Sequence, residues 1–189
     1  MTTIAAVKKG KRLCIASDSL ALFGSRKEID GKHVCGAGKI IQVGQNYIGA
    51  AGHPSWNLIL KHYFLKQKKT PAWKTADQIF DFFCEMHQVL KDTYYLECKQ
   101  SSFLPFEESG FELLIINPHG IFEVEYSRVV RQYSKFSAIG TGEDYALGAI
   151  KAIYDRVDDS GEIAKTGIEA AAQFDLKTEA PIHTYYIDL

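Results

Sequence analysis

Apolar positions along the chain follow two different periods, and the periods alternate in blocks. Residues 3 to 9 (TIAAVKK) and 12 to 19 (RLCIASDS) are short strand-like runs on either side of a Gly-Lys turn, which predicts a hairpin. Both runs carry apolar residues on both faces, as a sheet covered above and below requires. After the Gly-rich stretch IDGKHVCGAGK, two further strands are predicted at 39 to 43 and 46 to 51, around the turn GQN. The period then changes to that of a helix. Trp56, Ile59, Leu60, Tyr63 and Phe64 share one face, and Ile79, Phe83, Met86, Leu90 and Tyr94 share another, with a Pro-containing loop between them. Strands return at 111 to 117 (FELLIIN) and 120 to 134, joined by the turn PHG. Two more helices follow. One is marked by Tyr145, Ala149 and Ile153; the other, after DDSG, by Ile163, Gly167 or Ile168, and Ala171 or Ala172. The final IHTYYIDL alternates like a closing strand.

Strands, helix pair, strands, helix pair, strand is the wrong order for a parallel βαβ sheet. It predicts an α+β fold in which two stacked antiparallel sheets carry helix pairs on their outer faces, a four-layer αββα sandwich. A length of 189 residues, 46% of them hydrophobic and 12% aromatic, suits one domain over residues 1 to 189 with a full core.

Charge and cysteine usage narrow the function classes. The formal charge is −1 and the Lys and Arg residues are dispersed, so the basic stripe that a phosphate backbone demands is missing and nucleic acid is not expected as a partner. Apolar runs such as FELLII fall far short of the roughly 20 residues that span a bilayer, and no targeting segment is read, so a soluble, cytoplasmic protein is expected. Cys14, Cys35, Cys84 and Cys98 form no C-x-x-C pair, and the six histidines show no ligand spacing. Reduced thiols, no metal site and no cofactor are the expectation.

The chemistry points to the start of the chain. If Met1 is removed, Thr2 carries a hydroxyl and a free α-amine on one residue, and an unperturbed α-amine with a pKa of about 7.7 to 8.0 can accept the hydroxyl proton near neutrality. A strand beginning at once would hold that residue rigidly. Taken alone, Thr2 reads as an ordinary strand residue, Asp18 as a turn aspartate and Lys39 as a solvated loop lysine, and Gly49 reads equally well as a bulge glycine.

The whole chain, however, resembles the proteasome-type N-terminal nucleophile hydrolases, the family of proteasome β subunits, HslV peptidases and bacterial proteasome-subunit homologues. The resemblance is carried in order by TTIAAV (2 to 7), IASDSLALFG (15 to 24), GKI (38 to 40), YIGAAG (47 to 52), AIGTGEDYALGAI (138 to 150) and AAAQFDLKTEAP (170 to 181). It implies Thr2 as nucleophile, Asp18 as buried carboxylate and Lys39 as the cation beside the hydroxyl. Gly49 would turn its N–H toward the developing oxyanion. Thr141, where many relatives have Ser, would support the site together with Asp175 and Thr178. The side chains at Ala21, Tyr47 and Ala51 would shape the substrate pocket, a Tyr between small neighbours implying an apolar or aromatic preference. The segment between Asp18 and Lys39, with Gly31, Gly36 and Gly38, is longer than in HslV and implies a loop near the substrate entrance.

By the same resemblance the chain would be a threonine-type endopeptidase. It would assemble with copies of itself into stacked rings, admit unfolded polypeptide, and work with an ATP-dependent unfoldase. Two other readings stay open: a non-catalytic structural ring subunit, and a small-amide hydrolase of the wider superfamily. A cysteine hydrolase built on Cys35 and His33 is a further reading, possible in principle.

Overall fold

The computed structural model describes residues 2 to 20, 22 to 23, 26 to 27, 38 to 67, 70 to 97 and 105 to 189. β1 (Thr3–Lys9) and β2 (Arg12–Ser17) form the expected first hairpin. Two short strands, β3 (Leu22–Phe23) and β4 (Arg26–Lys27), pair with each other. β5 (Ile40–Val43) and β6 (Asn46–Gly52) make a second hairpin, followed by helices α1 (Ser55–Lys66) and α2 (Ala76–Tyr94). Next come β7 (Phe111–Asn117), β8 (Gly120–Val124), β9 (Val130–Tyr133) and β10 (Phe136–Gly140). Helices α3 (Glu143–Ile153) and α4 (Ser160–Phe174) precede the closing strand β11 (His183–Asp188).

Two antiparallel sheets result, one in the order β10-β1-β2-β11 and the other β5-β6-β7-β8-β9. Strand alternation sorts their side chains into three apolar layers. Ile4, Ala6, Leu13 and Ile15 face inward and meet Leu114, Ile116 and Ile121 of the second sheet. Their neighbours Ala5, Val7, Cys14 and Ala16 face outward onto Ile150, Ile163 and Ile168 of α3 and α4. On the second sheet, Ile48, Leu113, Ile115 and Phe122 pack outward on α1 and α2, against Leu60, Phe83 and Met86. Apolar residues on both strand faces thus have the cause inferred from the sequence, a helix layer on one side and a sheet on the other. The four-layer αββα arrangement stands.

Three details differ from the sequence reading. The single strand expected over 120 to 134 is two, β8 and β9, because the chain reverses between them: the N–H of Arg128 bonds the carbonyl of Glu125, and Arg128 adopts a left-handed φ of 67°. β10 was not anticipated: Ser134 and Lys135 alone separate it from β9, and neither is the glycine or proline that would mark a break in the run. β2 ends at Ser17 instead of 19, because Asp18 leaves the ladder and its carboxylate takes the N–H of Leu20, two residues on.

Cys14 is buried, and burial, helped by Asp159, pushes its thiol up to about 12, so it stays protonated. Cys35, Cys98 and His33 lie outside the described residues, as do Gly31 and Gly36 of the long glycine-rich segment. No described helix is long and apolar enough to cross a membrane.

Candidate active site

Thr2 precedes β1 and shares the parity of Ile4 and Ala6, so it points into the layer between the sheets, at one end of the sandwich. It is 3% exposed, and its hydroxyl donates to Asp18 Oδ1 at 2.6 Å. Asp18 is fully buried and collects further donors: the N–H of Thr3 at 3.0 Å, the N–H of Leu20 at 3.1 Å, and Lys39 Nζ at 2.8 and 2.9 Å. The N–H of Glu179 lies 3.4 Å from its second oxygen. Lys39, at 7% exposure, is no solvated loop lysine. Burial lowers its pKa and Asp18 opposes that shift without cancelling it. Thr2 Oγ1 and Lys39 Nζ therefore meet on one carboxylate oxygen in a water-poor site.

A second cluster lies on the other side of the same strand. Thr3 has the opposite parity, and its hydroxyl is 2.5 Å from that of Thr178. Thr178 and Thr141 each donate to Asp175 Oδ2 at 2.7 Å, so the proton between the two threonine hydroxyls belongs to Thr3. Burial raises the pKa of Asp175, but the hydrogen bonds from Thr141 and Thr178 outweigh it and the net shift is downward. This trio reaches Thr2 through the backbone: the N–H of Thr141 donates to the Thr2 carbonyl at 3.0 Å. Gly140 allows that approach, since at φ 96° a side chain would be strained and its Cβ would fall on the Thr2 carbonyl.

A cavity of about 240 Å³ opens on Thr2. Ala51 and Gly52 of β6 and Gly140 of β10 form one part of its wall, and Glu112, Tyr126 and Glu143 another. Of the residues expected to shape a pocket, Ala51 is here. Tyr47 is not: it lies four residues before Ala51 on the same strand, packed on Tyr185 of β11 at 5.4 Å between ring centroids. Ala21 lies outside the described residues. Gly49 is also displaced from its expected place. It sits in mid-strand where an added Cβ would strike Ile4 and Ile15, so its missing side chain serves the close approach of the two sheets. The glycine on the cavity is Gly52, at φ 142°, where a Cβ would press on Trp56 and on the Gly110 carbonyl.

Sequence reasoning overlooked Gly52, Thr3, Glu112, Tyr126 and Glu143. A strand-ending glycine just ahead of a helix could have flagged Gly52, and a glutamate opening the otherwise apolar FELLIIN could have flagged Glu112. Among the described residues no three His, Cys, Asp or Glu side chains are grouped to hold a metal ion. What the site brings together is a buried hydroxyl, a buried ammonium and a carboxylate joining them, beside a cavity: the parts of a nucleophile whose proton is to be removed.

Comparison with known proteins gives the following. No protein-family model matches the chain. It is similar to the Thiobacillus denitrificans BPH, at 36% sequence identity and a TM-score of 0.93, over 100% of this chain and 98% of that one. The same protein in complex with epoxomicin matches equally, with 99% of its chain covered. In sequence the chain is 26% identical over 181 residues to an ATP-dependent protease subunit HslV of Caldicellulosiruptor saccharolyticus, covering 94% of this chain and 93% of the other. The eukaryotic HslV from Trypanosoma brucei shares the fold, with a TM-score of 0.68 at 18% identity over 100% of both chains.

Asp18→Ala leaves the Lys39 ammonium buried without its carboxylate, and the expected loss of stability is about 3 to 5 kcal/mol. Adding Lys39→Met should recover part of it, read from denaturant midpoints. Asp175 tests the second cluster. Its folded-state pKa lies below the ordinary 3.8, so its contribution to stability is present above that value and is lost as pH falls through the lowered one. Thr141→Val and Thr178→Val should each move the Asp175 titration upward when followed by carboxyl-carbon NMR.

Proposed function

The chain belongs to the proteasome-type N-terminal nucleophile hydrolases that include HslV and is a threonine-type peptidase subunit, and from that premise we propose that its nucleophile is Thr2, freed as the first residue by removal of Met1. The carrying observation is that Thr2 Oγ1 and Lys39 Nζ share Asp18 Oδ1 at 2.6 and 2.8 Å in a buried site. Lys39 favours the alkoxide form of Thr2, and Asp18 balances the ammonium and aims both groups.

In this reading Thr2 Oγ adds to the substrate carbonyl carbon while its proton passes to the α-amine. The tetrahedral adduct then breaks its C–N bond, the proton leaves with the departing amine, and an ester remains on Oγ. A water gives its proton to the α-amine, attacks the ester and releases the acid, and Oγ regains a proton. Gly52, rather than Gly49, supplies the N–H for the oxyanion, because it lines the cavity with Thr2. Thr141, Asp175 and Thr178 fix the backbone of Thr2 and Thr3 from behind.

Residues 1 to 189 act as one domain, and copies stack into rings in the cytoplasm that admit unfolded polypeptide delivered by an ATP-dependent unfoldase. HslV-like proteins in general form such rings with an ATPase partner. Large apolar side chains left open to solvent support self-assembly here: Leu58 and Leu65 on α1, and Phe174 and Leu176 at the end of α4.

Two measurements test this reading. Intact-mass analysis should find Met1 absent and, after treatment with epoxomicin, an adduct on Thr2. Thr2→Ala should abolish the adduct and lower peptide cleavage by at least about a thousandfold. Retention of Met1 on every molecule would leave an amide where the base should be, and the non-catalytic ring subunit would then be the better reading. Native mass spectrometry should show an assembly of many copies; a monomer alone would remove the ring.

A further inference from the structure

Inward positions on β7 are 112, 114 and 116, and two of them, Leu114 and Ile116, belong to the apolar layer between the sheets. The third is a glutamate. Glu112 stands opposite Ala51 in the strand register, at the end of the sandwich where the 240 Å³ cavity meets Thr2. Ala51, Gly52 and Gly140 contribute almost no side chain to that cavity, so beside Thr2 and Thr141 its chemical character is set by Glu112, Tyr126 and Glu143. The same three residues line an adjoining cavity of about 630 Å³, so the two form one trough leading away from the nucleophile.

We propose that Glu112 is a specificity-determining residue of this trough, and that the trough takes the cationic side chain, lysine or arginine, of a peptide residue next to the bond being cut. The proposal rests on Thr2 as the nucleophile.

A half-buried carboxylate needs donors or a cation. Among the described residues, Glu112 receives the N–H of Gly140, and the same N–H serves Glu143. The arginine of the trough, Arg131, is engaged by Glu125 and lies 4.0 Å from Glu123. Glu123 itself accepts the Ser137 hydroxyl at 2.7 Å. Burial, with Glu143 and Glu123 nearby, raises Glu112 to about 7, and burial with Asp144 and Glu123 raises Glu143. Among the described residues, the titratable groups lining the trough with Glu112 are Glu108, Glu123, Glu125, Tyr126, Tyr133 and Glu143, together with a cation, Arg131, which Glu125 engages. Carboxylates outnumber that cation, so Glu112 and Glu143 hold protons that a substrate ammonium or guanidinium would displace. Discrimination in favour of a cation therefore strengthens as pH rises through about 7.

The test uses the full chain in its native assembly and internally quenched, N-acetylated peptides that differ at one position on either side of the cut. That position carries lysine, norleucine or glutamate. The expected ratio of kcat/KM for lysine over norleucine is about tenfold at pH 8, the size of one charge-assisted hydrogen bond, and it narrows at pH 6. Glu112→Gln should bring the ratio close to one at both pH values, and the glutamate peptide should be the poorest substrate of wild type. Equal rates for lysine and norleucine in wild type, or a ratio that Glu112→Gln leaves unchanged, would overturn the proposal. So would a benefit that follows a free N-terminal amine in place of the side chain. Calorimetric binding of the same peptides to Thr2→Ala, with and without Glu112→Gln, separates this question from turnover. Tighter binding of the lysine peptide that disappears with Glu112→Gln upholds the subsite even if Thr2 proves non-catalytic; equal binding overturns it.

Discussion

A carboxylate with no exposure to solvent must be surrounded by donors, and Asp18 draws its donors from segments far apart in the chain. The Thr2 hydroxyl and Thr3 N–H arrive from the first strand, the Leu20 N–H from the loop after the second, and the Lys39 ammonium from the entry to β5. Glu179, just before the last strand, stands at the edge of the same group. Losing any one of these leaves charge or dipole in a medium that cannot solvate it, and such a loss costs more than a surface ion pair gains. The constraint therefore acts on the backbone: β1 must start where it does, β2 must stop at Ser17, and the chain must bring Lys39 back under the first hairpin. Placement of the hydroxyl at residue 2 follows from the needs of the carboxylate at residue 18.

The two threonines at the start show how strand geometry divides labour. Neighbours on a strand face opposite ways, so Thr2 enters the layer between the sheets and Thr3 the layer under α3 and α4. One meets Asp18 and Lys39; the other meets Thr178, Asp175 and Thr141. The networks do not mix side chains, but they share a backbone, since Thr141 holds the carbonyl of Thr2. If Thr2 is the nucleophile proposed above, a clamp from both faces of its strand removes the rotational freedom that would otherwise oppose attack.

Much of this was legible before any coordinates. Period-2 and period-3.6 runs separated the strands from the helices, and the double-faced strands expected at 3 to 9 and 12 to 19 required cover on both sides, which fixed the layering. Thr2, Asp18 and Lys39 could be singled out because residue type and local setting matched a known family, and the structure brings the three together. Long-range register was not readable. Gly49 and Gly52 are the same residue on the same strand, and only the partner across the gap distinguishes them: Ile4 and Ile15 for one, the cavity for the other. Tyr47 failed for the same reason, since five residues along a strand is a displacement of roughly 17 Å, and no local pattern tells which end of β6 meets Thr2. The break at 125 to 129 escaped because EYSRV contains no glycine or proline, and the left-handed residue there is an arginine.

Asp18, just past the end of β2, and Glu112, on an inward position of β7, both place a carboxylate where the surroundings are buried, yet they do so in different ways. Asp18 is enclosed by the fold's own donors, and the burial of Lys39 beside it makes a closed electrostatic unit that needs nothing from outside. Glu112 faces other acids across a space, and its raised pKa is the mark of a charge the fold leaves to be balanced by a proton. Natural chains tolerate such local conflict where an external group resolves it. A polar residue placed inward to stabilise the fold would be expected to resemble the first case. That the second lies on the same cavity as the Thr2 hydroxyl, rather than at the far end of the sandwich, ties the conflict to the end of the molecule where the proposed nucleophile sits.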